Sequence, residues 1–173
     1  LQCDLASSRR PLIVTGYASI ECLLALMHDL REPLAAGHPD ELARVLIGVE
    51  PKLPEGLRMP LEADPQGRAA HDYWLNHGIS ITQWRALLST IELLDAGRLS
   101  VRSSGSQRIH AKIYVGDEAA TLGSSNFTEP GLGRNLEANV RFTADSEPER
   151  HQETVDFAEN LWTLGRDYTE AFR

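Results

Sequence analysis

Short unbroken apolar runs alternate with helical stripes over the first half of the chain and then give way to a series of short strand-like segments. The run "PLIVTGYAS" has the continuous apolar character of a buried strand and ends at Gly16. It leads into "SIECLLALMHDLRE", where Ile20, Leu23, Leu24, Met27 and Leu30 recur at helical spacing. Ser19 can cap that helix, with Cys22 rather than an acid at the third position. "ARVLIGVE" has the pattern of a second buried strand. Strand, helix, strand predicts a βαβ unit with a parallel pair, which needs helices on both faces of its sheet.

From Pro51 to Gly67, four prolines and two glycines interrupt any period, which predicts an irregular surface excursion over or beside a site. "AAHDYWLNHG" adds a helical turn or two. "SITQWRALLSTIELLDAG" is an amphipathic helix with Ser80 as its cap, Gly97 as its stop, and Trp84, Leu87, Leu88, Ile91 and Leu94 as the expected buried stripe. Four strand candidates follow: "RLSVRSS", "RIHAKIYVG", "AATLGSS" and "LEANVRFTA", punctuated by Gly116-Asp117 and the Gly-rich "EPGLGRN". The stretch from Glu147 to the end predicts a helix with Val155, Ala158, Leu161 and Trp162 inward. The pattern is that of an α/β protein.

With 173 residues, the chain predicts one domain over 1–173; its first residue, Leu rather than Met, is consistent with a domain cut from a longer protein. No apolar run approaches the roughly 18 residues that cross a bilayer, and no secretion signal is read at the start. Cys3 and Cys22 make neither a disulfide framework nor a metal cluster, so a reducing cytoplasm is the expected location. The net charge of −8 argues against a protein that coats nucleic acid or anionic membrane over its whole surface. The balance reverses locally, because Ala96 to Gly116 contains Arg98, Arg102, Arg108 and Lys112 and no acid.

Inside that basic island lies "IHAKIYVG". On a strand, Ile109, Ala111, Ile113 and Val115 point one way into a core, while His110, Lys112 and Tyr114 point the other, which places His110 and Lys112 side by side on a polar sheet surface. Asp117 follows Lys112 by five positions, and after another short strand comes "GSSNFT" with Gly123, Ser124, Ser125 and Asn126. Such a set suits a tetrahedral phosphorus: a histidine neutral enough to attack or accept a proton, with ammonium, amide and hydroxyl donors for the oxygens where charge builds. No set of metal ligands accompanies it, and no cofactor is expected.

This order, H-x-K-x4-D and then G-S-x-N, resembles the HKD signature of the phospholipase D superfamily, in its single-motif, nuclease-like branch. Five residues separate Asp117 from Gly123 where six are common, a slightly tighter turn that leaves the His, Lys and Asn untouched. The resemblance covers most of the chain and is weakest over 51–78. It implies a mixed central sheet flanked by helices on both faces. His110 becomes the nucleophile that forms a phosphohistidine, and Lys112, Asn126 and Ser124 become the groups that bind phosphate. Glu137 in "RNLEANV" takes the place of a carboxylate that accepts a hydrogen bond from the histidine's other nitrogen. Asp117 is a weaker candidate, since a strand-end aspartate often just closes a turn. Arg98, Arg102, Arg108 and Ser125 are candidate contacts to phosphate or nucleic acid.

The expected activity is a metal-independent phosphodiesterase acting on nucleic acid, DNA favoured: an endonuclease module of a DNA-processing, restriction or helicase-linked defence protein, with fused helicase or DNA-recognition domains as its company. The alternatives are a lipid phosphodiesterase, which would want an exposed apolar surface that the pattern does not offer beyond the core, and a silent dimerisation module. The implied reaction needs two histidines and the chain holds one such motif, so a homodimer is expected to complete the site, the alternative being a second motif elsewhere in a longer protein. No membrane partner is expected. Tyr17 lies at the end of the first strand, where open α/β sheets bind ligands; a core-edge tyrosine is the equal alternative. His28 and His38 have no partners at metal spacing and read as surface or packing residues, while His71 and His77 are either groove-lining or simple loop histidines.

Overall fold

The computed structural model describes residues 1–35, 42–48, 78, 80–104 and 109–172. Its elements in chain order are α1 (Gln2–Ala6), β1 (Leu12–Thr15), α2 (Ile20–Ala35), β2 (Ala43–Ile47), α3 (Ile81–Asp95), β3 (Leu99–Ser103), β4 (Ile113–Val115) and β5 (Ala119–Gly123). A single π-helical turn (Pro130–Arg134), β6 (Asn139–Thr143), α4 (Pro148–Leu164), β7 (Arg166–Asp167) and α5 (Thr169–Phe172) complete the described chain.

The strands form one mixed sheet in the order β6-β5-β4-β1-β2-β3-β7. β1, β2 and β3 are parallel neighbours, while β4, β5, β6 and β7 join antiparallel. The parallel centre requires apolar residues on both faces of each strand, and the alternation supplies them. Ile13, Val45, Ile47, Val101 and Tyr114 pack with Leu23, Leu26, Met27 and Leu30 of α2 and Leu93 of α3. Leu12, Val14, Leu46, Ile113 and Val115 pack on the other face with Ala158 and Trp162 of α4. The expected α/β fold, a mixed sheet with helices on both faces, is what the chain adopts.

Three sequence expectations are corrected. The α3 stripe is rotated: Ala86, Ser89, Thr90 and Leu93 are buried, whereas Trp84 and Leu88 are exposed. Small side chains let α3 approach α2, and their hydroxyls are satisfied locally, Ser89 Oγ donating to the Arg85 carbonyl and Thr90 Oγ1 to that of Ala86. Counting large apolar residues misses a face built from small ones. Second, the last helix ends at Leu164 and does not run on, because Arg166 and Asp167 pair with Ser103 and Arg102 of β3. Third, the side of this segment that carries Lys112 and Tyr114 is not solvated: both are buried, Tyr114 in the α2-side core, and only His110 is exposed. The helix ends agree with the sequence, with Ser80 Oγ accepting from the Gln83 amide and Gly97 in the left-handed region at φ +66°. The predicted excursion from Pro51 to Gly67 and the turn at "AAHDYWLNHG" fall outside the described residues, apart from Gly78.

Candidate active site

The carboxyl ends of β1 and β2 leave a shallow floor of two glycines, and the segment that precedes β4 crosses it. A Cβ built on Gly48 would lie 2.0 Å from the Ile109 carbonyl oxygen; one on Gly16 would lie 3.3 Å from His110 Cδ2 and 3.4 Å from Lys112 Nζ. At Gly48 glycine is required by close approach of backbone to backbone, not by an unusual turn. Ile109 anchors the crossing in the α4-side core, which leaves the next side chain, His110, facing solvent.

Lys112, 4% exposed, turns its stem inward and its ammonium back toward His110. Nζ lies 2.7 Å from His110 Nε2 and donates to the His110 carbonyl at 2.9 Å. An ammonium has donors only, so Nε2 is the acceptor and the ring proton of neutral His110 belongs on Nδ1.

The loop after β5 is stitched to the same place. The Gly123 amide donates to the Lys112 carbonyl at 3.1 Å, and the Ser124 amide to that of Ala138 at 3.0 Å. Ser124 is exposed; its hydroxyl donates to Glu137 Oε2 in a short hydrogen bond and accepts from the Ala138 amide. Asn135 Nδ2 donates to Glu137 Oε1 at 3.1 Å. The Ser124 hydroxyl first, then the Asn135 amide, hold the Glu137 carboxyl below the usual carboxylate range, with a smaller pull from the Lys112 charge. Asn126 Oδ1 is buried and finds no hydrogen-bond donor among the described residues. Phe127 locks the loop beneath: its amide donates to the Tyr17 carbonyl at 3.2 Å and its carbonyl accepts from the Ser19 amide at 2.9 Å.

His110, Lys112, Ser124, Asn126 and Glu137 therefore belong to one linked cluster of loops. Other candidates are placed elsewhere. Asp117 stands at the far end of β4, where it accepts from Ser8 Oγ at 2.8 Å and the Arg9 amide at 2.9 Å and so fastens the N-terminal segment. Ser125 is buried, its hydroxyl accepting from Asn139 Nδ2 and its carbonyl from the Tyr114 hydroxyl at 2.6 Å. Burial pushes that phenol well above its ordinary pKa. Arg102 stacks on Trp162, 4.4 Å to the ring centroid, and donates to its carbonyl at 2.8 Å, so its charge is committed to α4. Arg98 lies at the other end of β3, and Arg108 falls outside the described residues. Among the described residues the basic island is thus not a single patch. His28 is exposed and meets Ser89 Oγ at 3.1 Å; His38, His71 and His77 lie outside the described residues.

Sequence reasoning missed Gly16, Gly48, Asn135 and Asn139, because close approach and loop bracing leave no spacing signature. It also missed spare apolar surface: Leu122 and Val140 pair across β5 and β6, and both are exposed, as are Phe157 and Leu136. No helix among the described residues is long and apolar enough to cross a membrane.

Residues 49–162 match the family model described as cardiolipin synthase, PLD-like domain. Among solved structures, NucT from Helicobacter pylori superposes with a TM-score of 0.53 at 13% identity, over 96% of this chain and 87% of that one. A phosphatidylserine synthase from Haemophilus influenzae Rd KW20 gives 0.58 at 16% identity, over 97% of this chain and 36% of that one. At such identities these likenesses show the fold alone. No curated protein sequence matches the chain.

Proposed function

Because the chain belongs to the phospholipase D-like family, as its family match over well more than half its length shows, we propose that it is a phosphodiesterase that cleaves nucleic acid through a phosphohistidine at His110. The observation that carries this reading is the contact between Lys112 Nζ and His110 Nε2, a phosphate-binding cation beside the nitrogen that must attack phosphorus.

A non-bridging oxygen of the substrate takes the ammonium from Nε2, and the freed lone pair forms the N–P bond as the bond to the leaving oxygen breaks. Asn126 and Ser124 provide further polar groups for the phosphoryl oxygens. Glu137 takes the Nδ1–H of the loaded site and balances the charge that grows on the ring. The leaving oxygen needs a proton from a second histidine, which then activates the water that cleaves the phosphohistidine. This chain holds one such motif, so a second copy, arranged about a two-fold axis, supplies the second His110. The full exposure of Leu136, next to Glu137, and the exposed Leu122, Val140 and Phe157 support a partner at that edge.

The "GSSNFT" spelling, similar to bacterial nucleases of the family, favours nucleic acid, and DNA over RNA is the narrower expectation. The same exposed apolar residues also favour a second reading, a lipid phosphodiesterase. Purified protein should be offered DNA, RNA and phospholipid vesicles in excess EDTA, beside His110→Ala. Nucleic-acid cleavage that persists in EDTA and vanishes in the variant supports the proposal. Turnover of lipid alone, or cleavage restored only by added Mg²⁺, overturns it.

A further inference from the structure

The chain contains a useful internal contrast between two tyrosines. Tyr114 is 1% exposed, stacks obliquely on Phe127 with ring centroids 5.8 Å apart, and donates its hydroxyl to the Ser125 carbonyl. That is how a tyrosine looks when it serves packing. Tyr17 does none of this: it is 48% exposed, and among the described residues neither its ring nor its hydroxyl has a partner. Yet its backbone is among the most firmly held in the site. Its carbonyl accepts from Thr15 Oγ1 at 2.8 Å and from the Phe127 amide at 3.2 Å, and Ala18 bridges to Phe127.

Those bonds brace Tyr17 between the two halves of the candidate site. Gly16, its neighbour in the chain, is the residue against which the His110 ring and the Lys112 ammonium rest. Phe127, its hydrogen-bond partner, directly follows Asn126 in the phosphate-binding loop. A rigidly mounted aromatic with a free face, one residue step (about 3.8 Å between Cα atoms) from the glycine under the nucleophile, is poorly explained by stability. Exposed to water it contributes little, and a smaller or more polar residue would serve the bridge equally.

Building on the nucleic-acid reading, we propose that Tyr17 is a stacking subsite for the nucleobase adjacent to the scissile phosphate, and that the preferred substrate is consequently single-stranded. In a duplex each base is already stacked and paired inside the helix, so a ring beside the backbone phosphate meets no free base face. In a single strand the base is free to swing onto an aromatic side chain, and such platforms tolerate any sequence because every base has a π-face. The phenol oxygen at the ring's edge remains available to a polar group of the base.

Turnover is stopped with His110→Asn, and binding is measured with a short single-stranded DNA carrying 2-aminopurine next to its central phosphate, with the same sequence as a duplex, and with vesicles of phosphatidylglycerol and phosphatidylcholine. With Tyr17 present, the single strand should bind more tightly than the duplex and the 2-aminopurine should be quenched. Tyr17→Phe should keep both signals. Tyr17→Leu and Tyr17→Ala should weaken single-strand binding by about 5- to 100-fold and relieve the quenching, with duplex binding unmoved. Unchanged single-strand binding in Tyr17→Leu overturns the subsite, as does an equal loss for duplex and single strand. A Tyr17-dependent loss confined to vesicles assigns the ring to lipid and overturns it too. If the His110→Asn protein with Tyr17 intact binds neither strand form, the nucleic-acid reading itself falls, an outcome separable from the others.

Discussion

Lys112 Nζ sits 2.7 Å from His110 Nε2, so in the proposed reaction the cation that binds phosphate caps the nucleophile in the free protein. Phosphate binding and nucleophile release then become one event, since the ammonium can leave Nε2 only for a better acceptor. Lys112→Ala should lower kcat by about 10²- to 10³-fold, the scale of deleting one donor to a developing oxyanion. Lys112→Arg should not restore it, because a planar guanidinium cannot fold back onto the ring as a compact ammonium does. The ¹⁵N resonance of His110 Nε2 should move in the Lys112→Ala protein and, in the wild type, on adding vanadate. A kcat within a few-fold of wild type, or a silent Nε2 resonance, would remove Lys112 from the reaction.

The two floor glycines should differ in their tolerance of a methyl group. A Cβ on Gly48 lands 2.0 Å from the Ile109 carbonyl oxygen, a clash of backbone with backbone that no side-chain movement relieves. Gly48→Ala should destabilise the fold by about 3 kcal/mol or more, at the upper end of overpacking costs, and should displace the His110 segment. On Gly16 the contacts are 3.3 Å to the His110 ring and 3.4 Å to Lys112 Nζ, both movable ends. Gly16→Ala should therefore leave stability within about 1 kcal/mol while lowering activity. Urea unfolding and single-turnover rates on both variants check this; equal destabilisation by the two would contradict the geometry.

The parts of this molecule that are repetitive in sequence were legible there, and the parts made by close approach were not. β1, α2 and β2 announce themselves by uninterrupted or 3.6-spaced apolar residues. His110, Lys112, Ser124 and Asn126 stand at motif spacing, and the Gly123–Lys112 backbone bond and the Ser124–Glu137 bond tie together the loops that carry them. The inward face of α3 was hidden because it is built of Ala86, Ser89 and Thr90, residues that a hydrophobicity count ignores. The burial of Lys112 was hidden because a lysine reads as solvated, whereas its ammonium folds back onto the His110 ring and carbonyl. Arg102 looked like part of a basic surface, but its partner, Trp162, lies sixty positions away, a pairing no local pattern encodes.

Asp4 ties the first helix to β6. Its carboxylate takes Arg141 Nε at 2.9 Å and a second guanidinium nitrogen at 2.8 Å. The Arg141 hydrogen bonds, the largest cause, hold the Asp4 pKa at about 2, against an ordinary 3.8. A depressed carboxylate pKa stabilises the fold above the unfolded-state value, and that contribution is lost as pH falls toward the folded value. The window is thus pH 4 to 2. Asp4→Asn should cost about 0.5–1 kcal/mol at neutral pH, the range for a partly exposed pair, and should flatten the acid limb of stability across that window. An unchanged acid limb in thermal melts would show that Asp4 is not the group responsible.

The shared active site can be tested by mixing subunits. If each site uses His110 from both copies, a dimer of one wild-type and one His110→Ala chain has either no nucleophile or no acid, and in both cases the reaction cannot complete. Co-refolding wild-type and variant chains in equal amounts would then leave only the wild-type pairs active, about a quarter of the dimers under random two-fold assembly. Activity should fall with the square of the wild-type fraction. Were each chain to act alone, the fall would be linear and half the activity would remain. The mixing curve, read with light scattering to confirm that pairs have formed, separates these cases without requiring a stable monomer. A linear curve from a confirmed dimer would mean that His110 works without its counterpart, and that the proton for the leaving oxygen comes from another group of the same chain.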